Sequence, residues 1–65
     1  MILLPKLTLK LKFNESLTYL ASYNDEIIGV INIYNDGYLD FLYVKKEYIN
    51  KGVGSKLLNH VISLN

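Results

Sequence analysis

The chain has 65 residues, 51% of them hydrophobic, with seven Lys against six Asp plus Glu, a net charge of +1 and no cysteine. It can form one domain at most. Disulfides and thiolate metal sites are excluded, and the near-neutral charge gives no electrostatic case for DNA or RNA as the main partner. None of the basic residues is Arg, so a bidentate guanidinium clamp on phosphate is ruled out. The apolar content argues against disorder. A chain this short buries only about 60% of its unfolded surface, so self-association is an expectation from size alone.

The start, "MILLP", is apolar but short. A signal peptide needs a longer apolar stretch with a basic segment before it, and no run approaches the roughly 18 apolar residues of a membrane span. The expectation is a cytoplasmic protein without a membrane partner. "KLTLKLKF" then alternates strictly, with Leu7, Leu9, Leu11 and Phe13 pointing one way and Thr8, Lys10 and Lys12 the other. That pattern predicts a half-buried strand whose lysines form a solvated face. "NES" is a turn. "LTYLASYN" predicts a second strand with Leu17, Tyr19, Ala21 and Tyr23 on one face, and "NDE" closes a hairpin.

"IIGVINIY" is β-branched and apolar on both faces, which predicts a central strand covered on both sides. Gly29 within it signals a bulge or the close approach of another group. "NDG" at 35–37 is a strong hairpin signal, since Asp36 and Gly37 can both take positive φ. The fourth strand is expected at 38–44. After Gly54 the period changes: Leu57, Val61 and Leu64 fall at i, i+4, i+7, with Leu58 and Ile62 alongside. This predicts an amphipathic helix of about three turns. The organisation is α+β, one domain over 1–65, with four mostly antiparallel strands and then one helix. Tyr19, Tyr23 and Tyr34 read as sheet packing. His60, the lone histidine, does not make a metal site and reads as a partly exposed helix-face residue.

The junction "VKKEYINKGVGSKLL" carries the chemistry. A glycine turn entering a helix presents backbone N–H groups that have no partner inside the helix, at the positive end of the helix dipole. Phosphate fits such a place. Ser55 adds a hydroxyl there, and Lys51 and Lys56 add charge. Two common phosphate motifs fail, however. G-x-G-x-x-G would need a glycine where Leu57 stands, and G-x-x-x-x-G-K-[ST] would need Lys before Ser. From "GVG" alone, a plain tight turn stands level with an anion site.

The longer pattern "LYVKKEYINKGVGSKLLNHVI" resembles the acetyl-CoA-binding segment of the GNAT N-acetyltransferases. That segment has an apolar strand ending in valine, an acidic and an aromatic residue, then [QR]-x-x-G-x-[GA] opening a helix with paired leucines. Val44, Glu47, Tyr48, Gly52, Gly54, Leu57 and Leu58 fall in those places, and the hairpin "EIIGVINIYNDGYLDFLYV" is also similar. The resemblance covers roughly residues 17–64. Ile49 stands where the motif has Gln or Arg. The family fold continues with further strands and a helix past the point where this sequence stops, so the resemblance implies an abbreviated or truncated member.

The resemblance implies a mostly antiparallel GNAT-like sheet and an N-acetyltransferase with acetyl-CoA as co-substrate. Its acceptor would be a small-molecule or protein amine. The amides around Asn50, Lys51, Gly52, Val53, Gly54 and Ser55 would hold the pyrophosphate, and the backbone near Leu42 and Val44 would pair with the pantetheine arm. A base must take a proton from the attacking amine. Asp40, expected on the face of Tyr38, Leu42 and Val44, is the candidate for that role, beside the plainer role of a solvent-facing Asp at a strand start. Glu47 is expected to cap or orient the turn, and Tyr43 and Tyr48 to pack in the core or at its rim. A non-catalytic CoA-binding remnant and a small structural module are the rival readings. The open edge beside the fourth strand suggests a homodimer.

Overall fold

The computed structural model describes residues 4–12 and 14–64. Within them the order is β1 (Lys6–Lys12), β2 (Ser16–Tyr23), β3 (Glu26–Tyr34), β4 (Leu39–Val44), a 3-10 helix (Lys46–Tyr48) and α1 (Val53–Ser63). The strands form one antiparallel sheet in the order β1-β2-β3-β4, as the hairpin signals require. Residues 1–3 of the apolar start, and Phe13, expected beside Leu7, lie outside the described residues.

Both hairpins form where the turn residues place them, with different turn geometries. The β2–β3 turn holds Asn24 and Asp25 at φ 52° and 64°, the paired left-handed geometry that matches strand twist. In the β3–β4 turn only Gly37 is left-handed, at φ 95°. Gly37 N donates to Tyr34 O and Tyr34 N donates to Tyr38 O, both at 2.9 Å. This is the three-residue loop in which a right-handed turn precedes one left-handed residue. Asp36 needs no positive φ because its Oδ1 accepts from Tyr38 N at 3.1 Å, and β4 begins one residue later than expected.

One face of the sheet carries Leu17, Tyr19, Ala21 and Tyr23 of β2, as the alternation predicts, and all four join the core cluster. Opposite them stand Ile33, Ile31 and Gly29 of β3. α1 lies on this face, over β3, β2 and β4. Its buried residues are Val53, Leu57 and Val61, a strict i, i+4, i+8 stripe. Burying each stabilises the fold by about 1.5–3 kcal/mol. The helix starts at Val53, earlier than expected, and Leu64 is its exposed C-cap rather than part of the stripe. His60 is half-buried, with its ring edge-on to Tyr19 at 4.7 Å.

Gly29 meets both expectations placed on it. Ala21 pairs with Gly29 but Ser22 with Ile27, so Ile28 is an extra, bulged residue, fully buried in the core. A Cβ on Gly29 would lie 3.0 Å from Leu57 Cδ1, 3.1 Å from Val53 Cγ1 and 3.2 Å from Tyr43 O. The glycine is therefore the seat of the helix.

Two expectations are corrected. β3 is covered on one face only among the described residues. On the other, Val30 and Leu20 are half-buried, and Phe41 and Tyr43 of β4 are exposed. An apolar run on both faces reports what a strand could bury, and one helix supplies one layer. β1 is also mostly exposed, with only Leu7 half-buried against the core. α1 is about 16 Å long and lies over the other three strands. A register shift between Leu9 and Leu11 pairs Leu11 with Thr18, which ends the strict alternation and moves Leu11 to the face away from α1.

Because backbone and two core side chains crowd the Gly29 site, Gly29→Ala should destabilise the fold by about 1–3 kcal/mol. Urea unfolding monitored by circular dichroism measures this; an unchanged midpoint would show that α1 is not seated there.

Candidate functional site

β4 leads into the junction under several restraints. Lys45 N donates to Ile28 O at 2.8 Å, which extends the pairing with β3 past Val44. Lys45 Nζ pairs with Glu26 Oε2 and, at 3.5 Å, with Glu47 Oε2. Glu47 thus orients the turn through a lysine, as expected in kind. Tyr48 N donates to Lys45 O at 2.8 Å, and Lys51 N to Tyr48 O at 3.3 Å. Tyr48 is half-buried and its ring meets Tyr23 edge-on at 6.3 Å, which anchors the turn to β2. Asn50 and Gly52 take φ of 69° and 83°. These two left-handed residues let the chain reverse and enter α1.

Between this turn, the end of β4 and the start of α1 lies an open groove of about 530 Å³, lined by Leu42, Tyr43, Val44, Tyr48, Ile49, Asn50, Gly52, Val53, Gly54 and Ser55. The first bond of the helix runs from Lys56 N to Gly52 O at 3.0 Å. The amides of Val53, Gly54 and Ser55 precede it, and Gly52 provides no side-chain cap. No acidic residue stands in the first turn, so the positive end of the dipole is not neutralised there. Gly54 is half-buried and Ser55 exposed. One wall is thus N–H-rich, and the other, from Leu42, Tyr43, Tyr48 and Ile49, is apolar and aromatic. That combination suits an anionic group joined to an extended, less polar arm.

Of the residues singled out in sequence, Leu42, Val44, Asn50, Gly52, Val53, Gly54 and Ser55 come together on this groove. Lys51 does not line it, and its N–H is committed to Tyr48 O. Tyr43, Tyr48 and Ile49 line the groove without having been named for it. Both tyrosines are rim residues, Tyr43 the more exposed. Their position between named residues was the available signal.

The two glycines have different reasons. Gly52 sits in the left-handed region, which a side chain disfavours by roughly 1–2 kcal/mol. At Gly54 a Cβ would meet Leu42 Cδ2 and Val44 Cγ2 at 3.6 Å, an ordinary contact.

Asp40 is placed differently from expectation. Asn32 pairs with Phe41 but Ile33 with Leu39, so Asp40 is the extra residue of a bulge. Its Oδ2 accepts from Asn32 Nδ2 at 2.8 Å, while Asn32 Oδ1 accepts from Thr18 Oγ1 at 2.8 Å. Thr18 and Asn32 lie on the face away from α1. Asp40 therefore does not share a face with Leu42 and Val44, against which Gly54 packs, and it is not among the groove-lining residues. Strict alternation along β4 fails at the bulge.

Four strands feeding a glycine turn, a helix start without a side-chain cap and an open groove make up one sheet-and-helix unit. A family model for the acetyltransferase (GNAT) domain matches residues 5–64, and the chain belongs to that family of acetyltransferases. No significant match was found among curated proteins or solved structures. Among the described residues no helix is long and apolar enough to cross a membrane.

The glycine contrast is testable by chemical denaturation. Gly52→Ala should lose about 1–2 kcal/mol. Gly54→Ala, within the helix, should be neutral or gain up to about 1 kcal/mol. Equal losses at both positions would contradict the geometry.

Proposed function

We propose that this chain is an acetyl-CoA-dependent N-acetyltransferase acting on a primary amine, with the groove beside Gly52 as its CoA site. The observation that carries the reading is the uncapped, acid-free start of α1 opening on a groove whose other wall is the edge strand β4. The amides of Val53, Gly54 and Ser55 would receive the pyrophosphate, with Asn50, Lys51 and Gly52 in the turn around it. Backbone groups do this work, so Ile49 in place of Gln or Arg does not remove the site. Among the described residues β4 has a neighbour on one side only, and backbone near Leu42 and Val44 would pair with the extended pantetheine arm as an added strand.

When bound, acetyl-CoA supplies an activated acyl group. Asp40 would accept a proton from the acceptor amine or hold that amine in place. The partners are then acetyl-CoA and a small-molecule or protein amine in the cytoplasm. A net charge of +1 provides no field for nucleic acid. A second reading, CoA binding without chemistry, is favoured by one observation: Asp40 lies outside the groove lining. A homodimer covering the open edge of β4 around Leu39 to Phe41, short of the stretch that would pair with pantetheine, is also proposed, and the exposed Leu39 and Phe41 support it. A single monomeric species in sedimentation at working concentration would remove it.

Adding acetyl-CoA to isotope-labelled protein should shift the amide resonances of Val53, Gly54 and Ser55 more than those of β1. No shift at millimolar acetyl-CoA would sink both CoA readings. Acetyl transfer to a panel of a polyamine, an aminoglycoside, an arylalkylamine and a lysine peptide then separates enzyme from binder. On the enzyme reading, Asp40→Asn lowers the rate about 100-fold or more and leaves the amide shifts intact.

A further inference from the structure

Three side chains form a polar line across three adjacent strands, on the face of the sheet away from α1. Thr18 of β2 donates its hydroxyl to Asn32 Oδ1 on β3 at 2.8 Å, and Asn32 Nδ2 donates to Asp40 Oδ2 on β4 at 2.8 Å. Asn32 is 8% exposed, while Asp40 is exposed. The line therefore runs from a half-buried hydroxyl through a buried amide to a carboxylate at the surface.

Its direction is fixed by chemistry. An ionised carboxylate only accepts hydrogen bonds. Asn32 must therefore turn its NH₂ toward Asp40, because the flipped amide would set carbonyl oxygen against carboxylate oxygen. Its carbonyl then faces Thr18, which must donate. The carboxylate selects the amide orientation, the hydroxyl adapts by donating to the amide oxygen and so braces it, and the amide holds one carboxylate oxygen. The other oxygen, Oδ1, makes no hydrogen bond with the described residues and is left to act. The bulge at Asp40 permits this arrangement, since it sets the carboxylate toward Asn32 and clear of the helix side. Asp40 lies two residues from Leu42 of the groove, about 7 Å along the edge strand.

We infer that Asn32, braced by Thr18, is a positioning residue that holds the Asp40 carboxylate for the acceptor amine. The inference rests on the acyl-transfer reading above. In the step it serves, the ammonium form of the acceptor gives a proton to Asp40 Oδ1. The neutral nitrogen then bonds to the acyl carbon as the carbon–sulfur bond breaks, the leaving thiolate takes the second proton lost by that nitrogen, and Asp40 returns the first to solvent. Atoms and charge balance with no further reactant.

Thr18→Val tests this, because it removes the hydroxyl while keeping a β-branched side chain of similar shape, and leaves the buried Asn32 oxygen without its donor, so that the amide is held less firmly against Asp40. Wild type, Thr18→Val, Asp40→Asn and the double variant are compared with acetyl-CoA and the amine panel. Thr18→Val should lower kcat by up to about tenfold, the worth of one neutral hydrogen bond, with KM for acetyl-CoA unchanged. Thr18→Ser should restore the rate. In the Asp40→Asn background Thr18→Val should have no further effect, because the two act as one unit. Additive losses, an unchanged kcat, or a KM for acetyl-CoA that rises as kcat falls would overturn the inference while wild type stays active. A wild type that acetylates no amine while its Gly54 and Ser55 amides still respond to acetyl-CoA would end the transfer reading, and this inference with it.

Discussion

The architecture depends on one close approach, α1 resting directly on β3 at Gly29. The absent side chain lets Val53 and Leu57 descend to the backbone of the strand, within 3.0–3.1 Å of where a Cβ would be. Val53 is the first residue of the helix. Seating it on Gly29 therefore also fixes where the helix begins. Gly54 then falls against Leu42 and Val44 of β4, and the free amides of the first turn open beside the end of that strand. The groove is a consequence of how closely helix and sheet meet.

Bulges do the rest of the aiming. One places Ile28 in the core beside Gly29, and another sets Asp40 on the far side of β4 from the helix. An inserted residue shifts the alternation of everything past it by one position. Edge strand β4 thus serves both faces: Leu42 and Val44 meet the helix, and Asp40 meets the buried amide of Asn32. A buried polar group left without a partner is costly. Asn32 is satisfied at both ends, by Thr18 and Asp40, which explains a buried Asn in the central strand.

The turn between β4 and α1 is held by contacts that do not use the amides at the helix start. Lys45 ties it to Glu26 and Glu47, and Tyr48 packs on Tyr23. Asn50 and Gly52 absorb the reversal in left-handed conformations. These anchors leave the groove wall free of internal hydrogen-bond duty at the helix start, the arrangement in which backbone N–H groups remain available to an anion.

The sequence by itself determined the elements and their order: four strands, the two hairpins, the helix, and the face of β2 carrying Leu17, Tyr19, Ala21 and Tyr23. It also located most of the groove, from Leu42 to Ser55, because periodicity and glycine placement are local properties of the chain. Tertiary structure alone decided the rest. Alternation along β4 put Asp40 with Leu42, and only the pairing with β3 revealed the bulge that separates them. The apolar run of β3 suggested two covered faces, yet the described helix covers one. Local pattern states which surfaces a segment can bury. Register and packing between segments distant in sequence decide which of them are buried, and toward which neighbour each side chain turns.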